Sequence, residues 1–252
     1  MKKITSMLLV LVLALSAFAL TSCFDNTPEV DVNAKSEGVM TYAQYAAAEL
    51  NSEVVIEAYV QDAQGWWAGK TGTGVITVYT ADKDGAYFIY EMACSEADAA
   101  KLVPGTKIRV TGYKKAWSGE VEVMDGTFEF VNDGITYIAP AFDATSLLGT
   151  DDLINHQNQY VALNNLKVVA ANENGDAFMY NWNGSGSRGS DIYFKVESNG
   201  QVYTLVIESY LRGQDTAVYQ AAEALKVGDT INVKGFLYWY EGVQPHITSI
   251  EK

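Results

Sequence analysis

Proline, histidine, cysteine and positive charge are all scarce in this chain. Its 252 residues contain four prolines, two histidines and two cysteines. Few prolines leave strands uninterrupted, because proline removes a ladder donor wherever it falls. His156 and His246 have no metal-ligand spacing with Cys94 or with each other, so neither a metal site nor a Ser-His-Asp arrangement is expected. No cofactor is expected either. Lysine and arginine total 17 against 31 aspartates and glutamates, a net charge of −14. Such a surface repels phosphate backbones, whereas nucleic-acid binders usually carry the opposite balance. Long apolar runs are also missing, with one exception. Met7–Leu20 is interrupted only by Ser16, and it is too short for a bilayer, which takes roughly 20 residues.

That exception has a context. Lys2 and Lys3 precede the apolar run, and Leu20-Thr21-Ser22-Cys23 closes it. A charged start, a short apolar middle and a small-residue end make a secretory signal peptide over residues 1–22. The L-T-S-C segment resembles the lipobox of bacterial lipoproteins. The resemblance implies cleavage before Cys23 and lipidation of its sulfur, with an acyl group such as palmitate on the new amine. An ordinary signal peptide with a chance cysteine is the alternative. The expected location is a cell membrane or outer membrane, lipid-anchored and facing the periplasm or exterior. Without the two leader lysines, 15 basic residues face 31 acidic ones, a net charge of −16. Only Cys94 then remains as a thiol, so no internal disulfide can form. It ends an apolar run and reads as a small buried hydrophobe.

Residues 23–39 are polar and without periodicity, and read as a tether. Thr41 opens a capping-box pattern with Gln44, so a short helix is expected next. Beyond it the chain repeats. Leu102–Tyr113 (LVPGTKIRVTGY) matches Leu225–Phe236 (LKVGDTINVKGF) at a constant spacing that also pairs Gly119 with Gly242. Apolar and polar residues alternate in both copies, the period of a half-buried strand, which puts Lys107 and Arg109 outward. Earlier strands are expected at Val54–Val60, Val75–Thr80 and Tyr87–Met92. Their counterparts are Tyr160–Val168, Asp191–Val196 and Val202–Glu208. Asp84-Gly85 and Asn199-Gly200 read as hairpin turns with positive φ at both positions. A helix is expected from Ser95 to about Val103 in one copy and over about 215–225 in the other.

Each half therefore reads strand, strand, strand, helix, strand, strand, which is the order of the five-stranded Greek-key OB barrel. The chain resembles the OB-fold domains of bacterial exported proteins, including those attached to secreted nucleases. The likeness is clearest over INVKGFLYWYEGVQPHI, residues 231–247. It implies an all-β protein with short helices: one OB-fold domain over 40–131 and a second over 135–252, joined near 132–134. A sandwich of similar strands is the alternative fold.

OB barrels bind across one face, between the loops joining strands one to two and four to five. Aromatic residues collect in those loops: Trp66, Trp67 and Trp117 in the first copy, and Trp182, Tyr238, Trp239 and Tyr240 in the second. Lys70 and Arg188 lie among them. Such rings can stack on a base or sugar, or can instead cover barrel ends or pack between domains. Gly65–Thr71 imitates a phosphate loop but is one residue short and opens no helix. Asp82–Gly85 lacks the later ligands of a calcium loop. The expectation is a membrane-anchored binding protein and not an enzyme, with a glycan or an envelope protein as partner. A nucleic acid ranks behind these. A structural or assembly subunit of the envelope is the other alternative.

Overall fold

The computed structural model describes residues 31–69, 72 and 74–252. Cys23 and Lys70 both lie outside the described residues. The first helix, α1 (Tyr42–Ala47), starts at Thr41, whose hydroxyl accepts from the Gln44 amide while the Gln44 side chain accepts from the Thr41 amide. Five strands follow: β1 (Glu53–Ala63), β2 (Val75–Ala81), β3 (Ala86–Ala93), β4 (Lys107–Trp117) and β5 (Glu120–Phe130). A four-residue helix, α2 (Glu96–Ala99), capped by Ser95, sits between β3 and β4. The strands close in the order β1-β2-β3-β5-β4. β4 returns to β1 antiparallel, and β3 meets β5 parallel at Phe88–Glu122 and Ile89–Val123. Val54, Ile56, Ile89, Ile108, Val110 and Val123 point inward and form the first core.

The second half contains β6 (Phe142–Asp143), two 3-10 turns, β7 (Tyr160–Val169), β8 (Phe178–Tyr180), β9 (Ile192–Ser198), β10 (Gln201–Ile207), α3 (Ala217–Glu223), β11 (Thr230–Phe236) and β12 (His246–Glu251). β7 pairs with both β11 and β9, which closes the circuit β7-β9-β10-β12-β11. β10 meets β12 parallel at Val206–His246. Strand for strand this is the order of the first barrel, with β6 and β8 added at the margins. Leu163, Leu166, Phe194, Leu205, Ile231 and Val233 fill its core, and Val218, Tyr219 and Ala222 of α3 plug one end. Both halves are OB barrels. The sandwich alternative fails because each sheet closes on itself.

The paired glycines of the repeat have a packing reason. A Cβ on Gly112 would lie 2.7 Å from Val123 Cγ1, and one on Gly235 would lie 2.2 Å from the His246 carbonyl oxygen. Both sit at register shifts, where the fourth strand presses against the fifth.

Several expectations need correction. Asn199 and Gly200 have the positive φ angles of the expected turn, but Asp84 and Gly85 do not. There the Asp82 carboxylate accepts from both amides and bends the chain, while Gly85 makes room for the Tyr42 ring, 2.3 Å from a built Cβ. The helix expected to reach Val103 stops at Ala99, and Pro104 keeps Val103 itself out of helical backbone. Lys107 does point out of the barrel, as the alternation requires, yet it is 4% exposed. The supposed tether covers it. From Asp31 on, this segment lies along β1 and β4: Tyr59 Oη donates to the Val32 carbonyl, Lys35 Nζ to Asp82 Oδ2, and Lys107 Nζ to the Ala34 carbonyl. The connection between barrels is likewise fastened to the first one. Asp133 accepts from Lys107, and Gln61 bonds the backbone of Tyr137 and Ala139. The chain therefore leaves barrel one near residue 140, later than the repeat suggested. Among the described residues no helix is long and apolar enough to cross a membrane.

A candidate ligand cleft between the barrels

The two barrels meet through the turn between β4 and β5. Gly119 and Val121 of this turn bond the Gln157 side chain, and Asn158 Nδ2 donates to the Val121 carbonyl. The Glu241 amide donates to the Ser118 carbonyl, and the Trp239 amide donates to Glu120 Oε2. A second contact lies beside it. Tyr79 stacks on Phe236 with ring centroids 4.1 Å apart, Phe88 packs edge-on against Tyr238, and Asp62 pairs with Arg212. Tyr79 and His246 share a 2.7 Å hydrogen bond across the joint.

Between these contacts opens a cleft of about 1100 Å³, slightly larger than the roughly 300–1,000 Å³ of small-molecule sites. Barrel one contributes Tyr90 of β3, Trp117 at the end of β4, and Glu122 of β5. Barrel two contributes Trp182, Tyr193, Glu208, Tyr238 and Tyr240. Trp182 is 72% exposed and Trp117 61%. Large rings left this bare usually serve contact with something outside the chain.

Burial sets the electrostatics. Desolvation pushes the Glu122 and Glu208 carboxyls up to about 7, and Glu120 to about 8. Glu208 accepts from Gln64 through both oxygens. Desolvation holds the buried His246 neutral, down at about 3, so its 3.9 Å approach to Glu208 is no ion pair. Counting all lining residues, Glu122, Asp191, Glu208 and Glu241 stand against Lys115 and Lys195. Among the described residues no cluster of His, Cys, Asp and Glu has the geometry to hold a metal. Cys94 is buried and pushed up to about 11, mainly by desolvation, which leaves it protonated rather than nucleophilic.

No known protein-family model and no curated protein sequence matches the chain. Among solved structures it is similar to the p204 HINb domain (12% identity, 81% of this chain and 99% of that one, TM-score 0.36). It is also similar to a murine DNA-binding protein bound to double-stranded DNA (10% identity, 79% and 95%, TM-score 0.37). A third is a deletion mutant of the single-stranded DNA-binding protein from Thermus aquaticus (13% identity, 81% and 94%, TM-score 0.27). At such identities and scores the likeness says nothing about a ligand, and the OB assignment rests on the strand order.

The cleft sorts the residues singled out from the sequence. Trp117, Trp182, Tyr238 and Tyr240 line it together. Trp66 does not, since its indole N–H donates to the Cys94 carbonyl and its ring packs on the first core. Trp67 pairs with Val75 at the mouth of barrel one, outside the cleft. Trp239 packs on the second core. Arg188 bonds Glu223 and the Gln214 carbonyl beside α3 instead of facing a ligand. Tyr90, Glu122, Tyr193 and Glu208 were missed. Tyr90, Glu122 and Tyr193 sit on strands at outward positions and Glu208 just past the end of β10, places that read as ordinary surface until the other barrel faces them.

Proposed function

We propose that this chain is an extracytoplasmic binding protein, held to a membrane through lipidated Cys23, that takes a glycan in the cleft between its barrels. The observation that carries the ligand reading is the cleft itself: bare Trp117 and Trp182 rings over a floor of hydrogen-bonding carboxyls. Flat apolar rings suit the faces of sugar rings, and the polar floor suits hydroxyls. The size of the cleft favours several sugar units over one.

Nucleic acid is the second reading. One of the structures reported above is described as bound to double-stranded DNA. Bases would stack on the same tryptophans. Four carboxyls against two lysines, on a chain of net charge −14, speak for an uncharged or cationic ligand instead.

The test is an array of oligosaccharides, single-stranded DNA and double-stranded DNA, probed with the full chain carrying Cys23→Ser. Sugar binding that barely responds to salt, with the oligosaccharide left uncut, supports the proposal. Salt-sensitive DNA binding with no sugar binding overturns it in favour of the second reading. The same substitution should move the protein from the membrane to the soluble fraction. Full retention on the membrane would end the anchor reading.

A further inference from the structure

Glu122 stands apart from the other acids of the cleft. It is 4% exposed, yet it lines the open space between the barrels. Glu208 accepts from Gln64 through both oxygens, Asp191 accepts from Ser209, and Glu120, which does not line the cleft, accepts from the Trp239 amide through one oxygen. Among the described residues the Glu122 carboxyl has no hydrogen-bond or ion-pair partner. Its cross-strand neighbour Lys115 is the obvious candidate, but the Lys115 ammonium turns to Asn51 Oδ1, 2.9 Å away, and toward the Tyr113 ring. Little of Glu122 is exposed and what is exposed opens on the cleft, so an occupant of the cleft is the partner left to a largely desolvated carboxyl.

We propose that the Glu122 carboxyl seats a cationic nitrogen, so that the saccharide preferred by the cleft carries a free ammonium group. This rests on reading the cleft as a glycan site and specifies which glycans it takes. The surroundings suit a cation. Tyr90 on β3 and Tyr238 from barrel two both stand within electrostatic range of Glu122, and aromatic faces attract positive charge. The other groups around it are Glu91 on β3, Lys115 on β4, Glu120 on its own strand, and Glu208 and His246 from barrel two. Lys115, already engaged, is the one cation among them, and His246 stays neutral. An uncharged sugar would leave the Glu122 charge unpaired, while an anionic one would be repelled. Because desolvation holds the carboxyl near neutrality, an arriving cation must displace its proton. Affinity for a permanent cation therefore rises as pH climbs through about 7 and levels off above.

The experiment is calorimetric titration of the full chain carrying Cys23→Ser at pH 7. Three probes are used: a glucosamine tetramer, its N-acetylated counterpart, and choline as a small permanent cation. The glucosamine tetramer should bind at least tenfold more tightly than the acetylated one, and Glu122→Gln should bring that ratio close to one. Choline should bind more tightly at pH 8 than at pH 6. Equal affinity for the two tetramers overturns the inference and leaves the glycan reading standing. A Glu122-dependent choline profile with neither tetramer bound does the reverse: the ammonium seat stands and the glycan reading falls. Binding of none of the three removes both. If Glu122→Gln does not fold, the choline profile of the parent chain decides by itself, and a flat one counts against the seat.

Discussion

At the residue scale, tryptophans that look alike in the sequence have different roles. Trp182 and Trp239 both sit in aromatic loops of the second copy, but one ring is 72% exposed and the other packs on a core. Trp182→Ala should leave the melting temperature nearly unchanged and weaken ligand binding. Trp239→Ala should destabilise the fold by about 2–3 kcal/mol, below the range for fully buried aromatics because the ring is half-buried. Thermal melts of the two variants check this, and equal losses would mean the rings are not differently placed. Glu120 is the other residue with a distinctive environment. Its free oxygen and the Asn158 amide oxygen are both buried without a partner. A proton on Glu120 removes the charge that burial penalises there. Glu120→Gln stays uncharged at every pH, so the variant should resist alkaline destabilisation that the parent suffers.

At the element scale, the segment 31–39 behaves as part of barrel one. It covers Lys107 and Asp82, and its backbone accepts from Tyr59 and Lys107. The connection up to Ala139 does the same: Asp133 also accepts from Lys107, Tyr137 packs on Tyr59, and the Ala139 amide donates to Gln61. Each barrel has its own closed strand circuit and core, so residues 31–140 are expected to unfold cooperatively on their own. The shorter piece 40–131 exposes Lys107 and takes the Ser36 amide from Glu57 and the Lys35 ammonium from Asp82, and should melt well below it. Comparing the two fragments by circular dichroism tests the assignment; identical melting would show that the strap contributes nothing. The sequence hid this because a polar segment without periodicity looks like a tether. Its hydrogen bonds run to outward side chains on β1 and β4, which no local pattern reveals.

At the scale of the whole molecule, the joint between the barrels concentrates groups shifted by burial, and this sets a pH response. Glu120, Glu122 and Glu208 are raised well above an ordinary carboxyl. The folded state therefore holds protons that the unfolded chain has already released. That stability is present at mildly acidic pH and is lost as pH rises through about 7 to 8. His246, held down at about 3, acts oppositely: its contribution is present above the usual imidazole range and fades as pH falls toward 3. Three carboxyls outweigh one imidazole between these limits, so the melting temperature should be higher at pH 5.5 than at pH 8.5. Glu120→Gln should narrow the difference. A melting temperature that rises with pH over this range would contradict the buried joint.

The sequence by itself determined the two barrels. Alternating apolar residues specify strands, the repeat specifies that the same circuit is built twice, and Gly112 and Gly235 mark where the fourth strand touches the fifth. It also grouped Trp117, Trp182, Tyr238 and Tyr240 in glycine-rich, turn-like stretches, and all four lie along the cleft. Only the tertiary structure decided which rings face one another and which acids face them. Glu122 and Tyr193 are ordinary outward strand positions until the turn at Ser118–Val121 docks on barrel two. That docking depends on contacts between residues far apart in the chain, such as Tyr79 with Phe236 and Glu120 with Trp239, and hydrophobic periodicity carries no record of them.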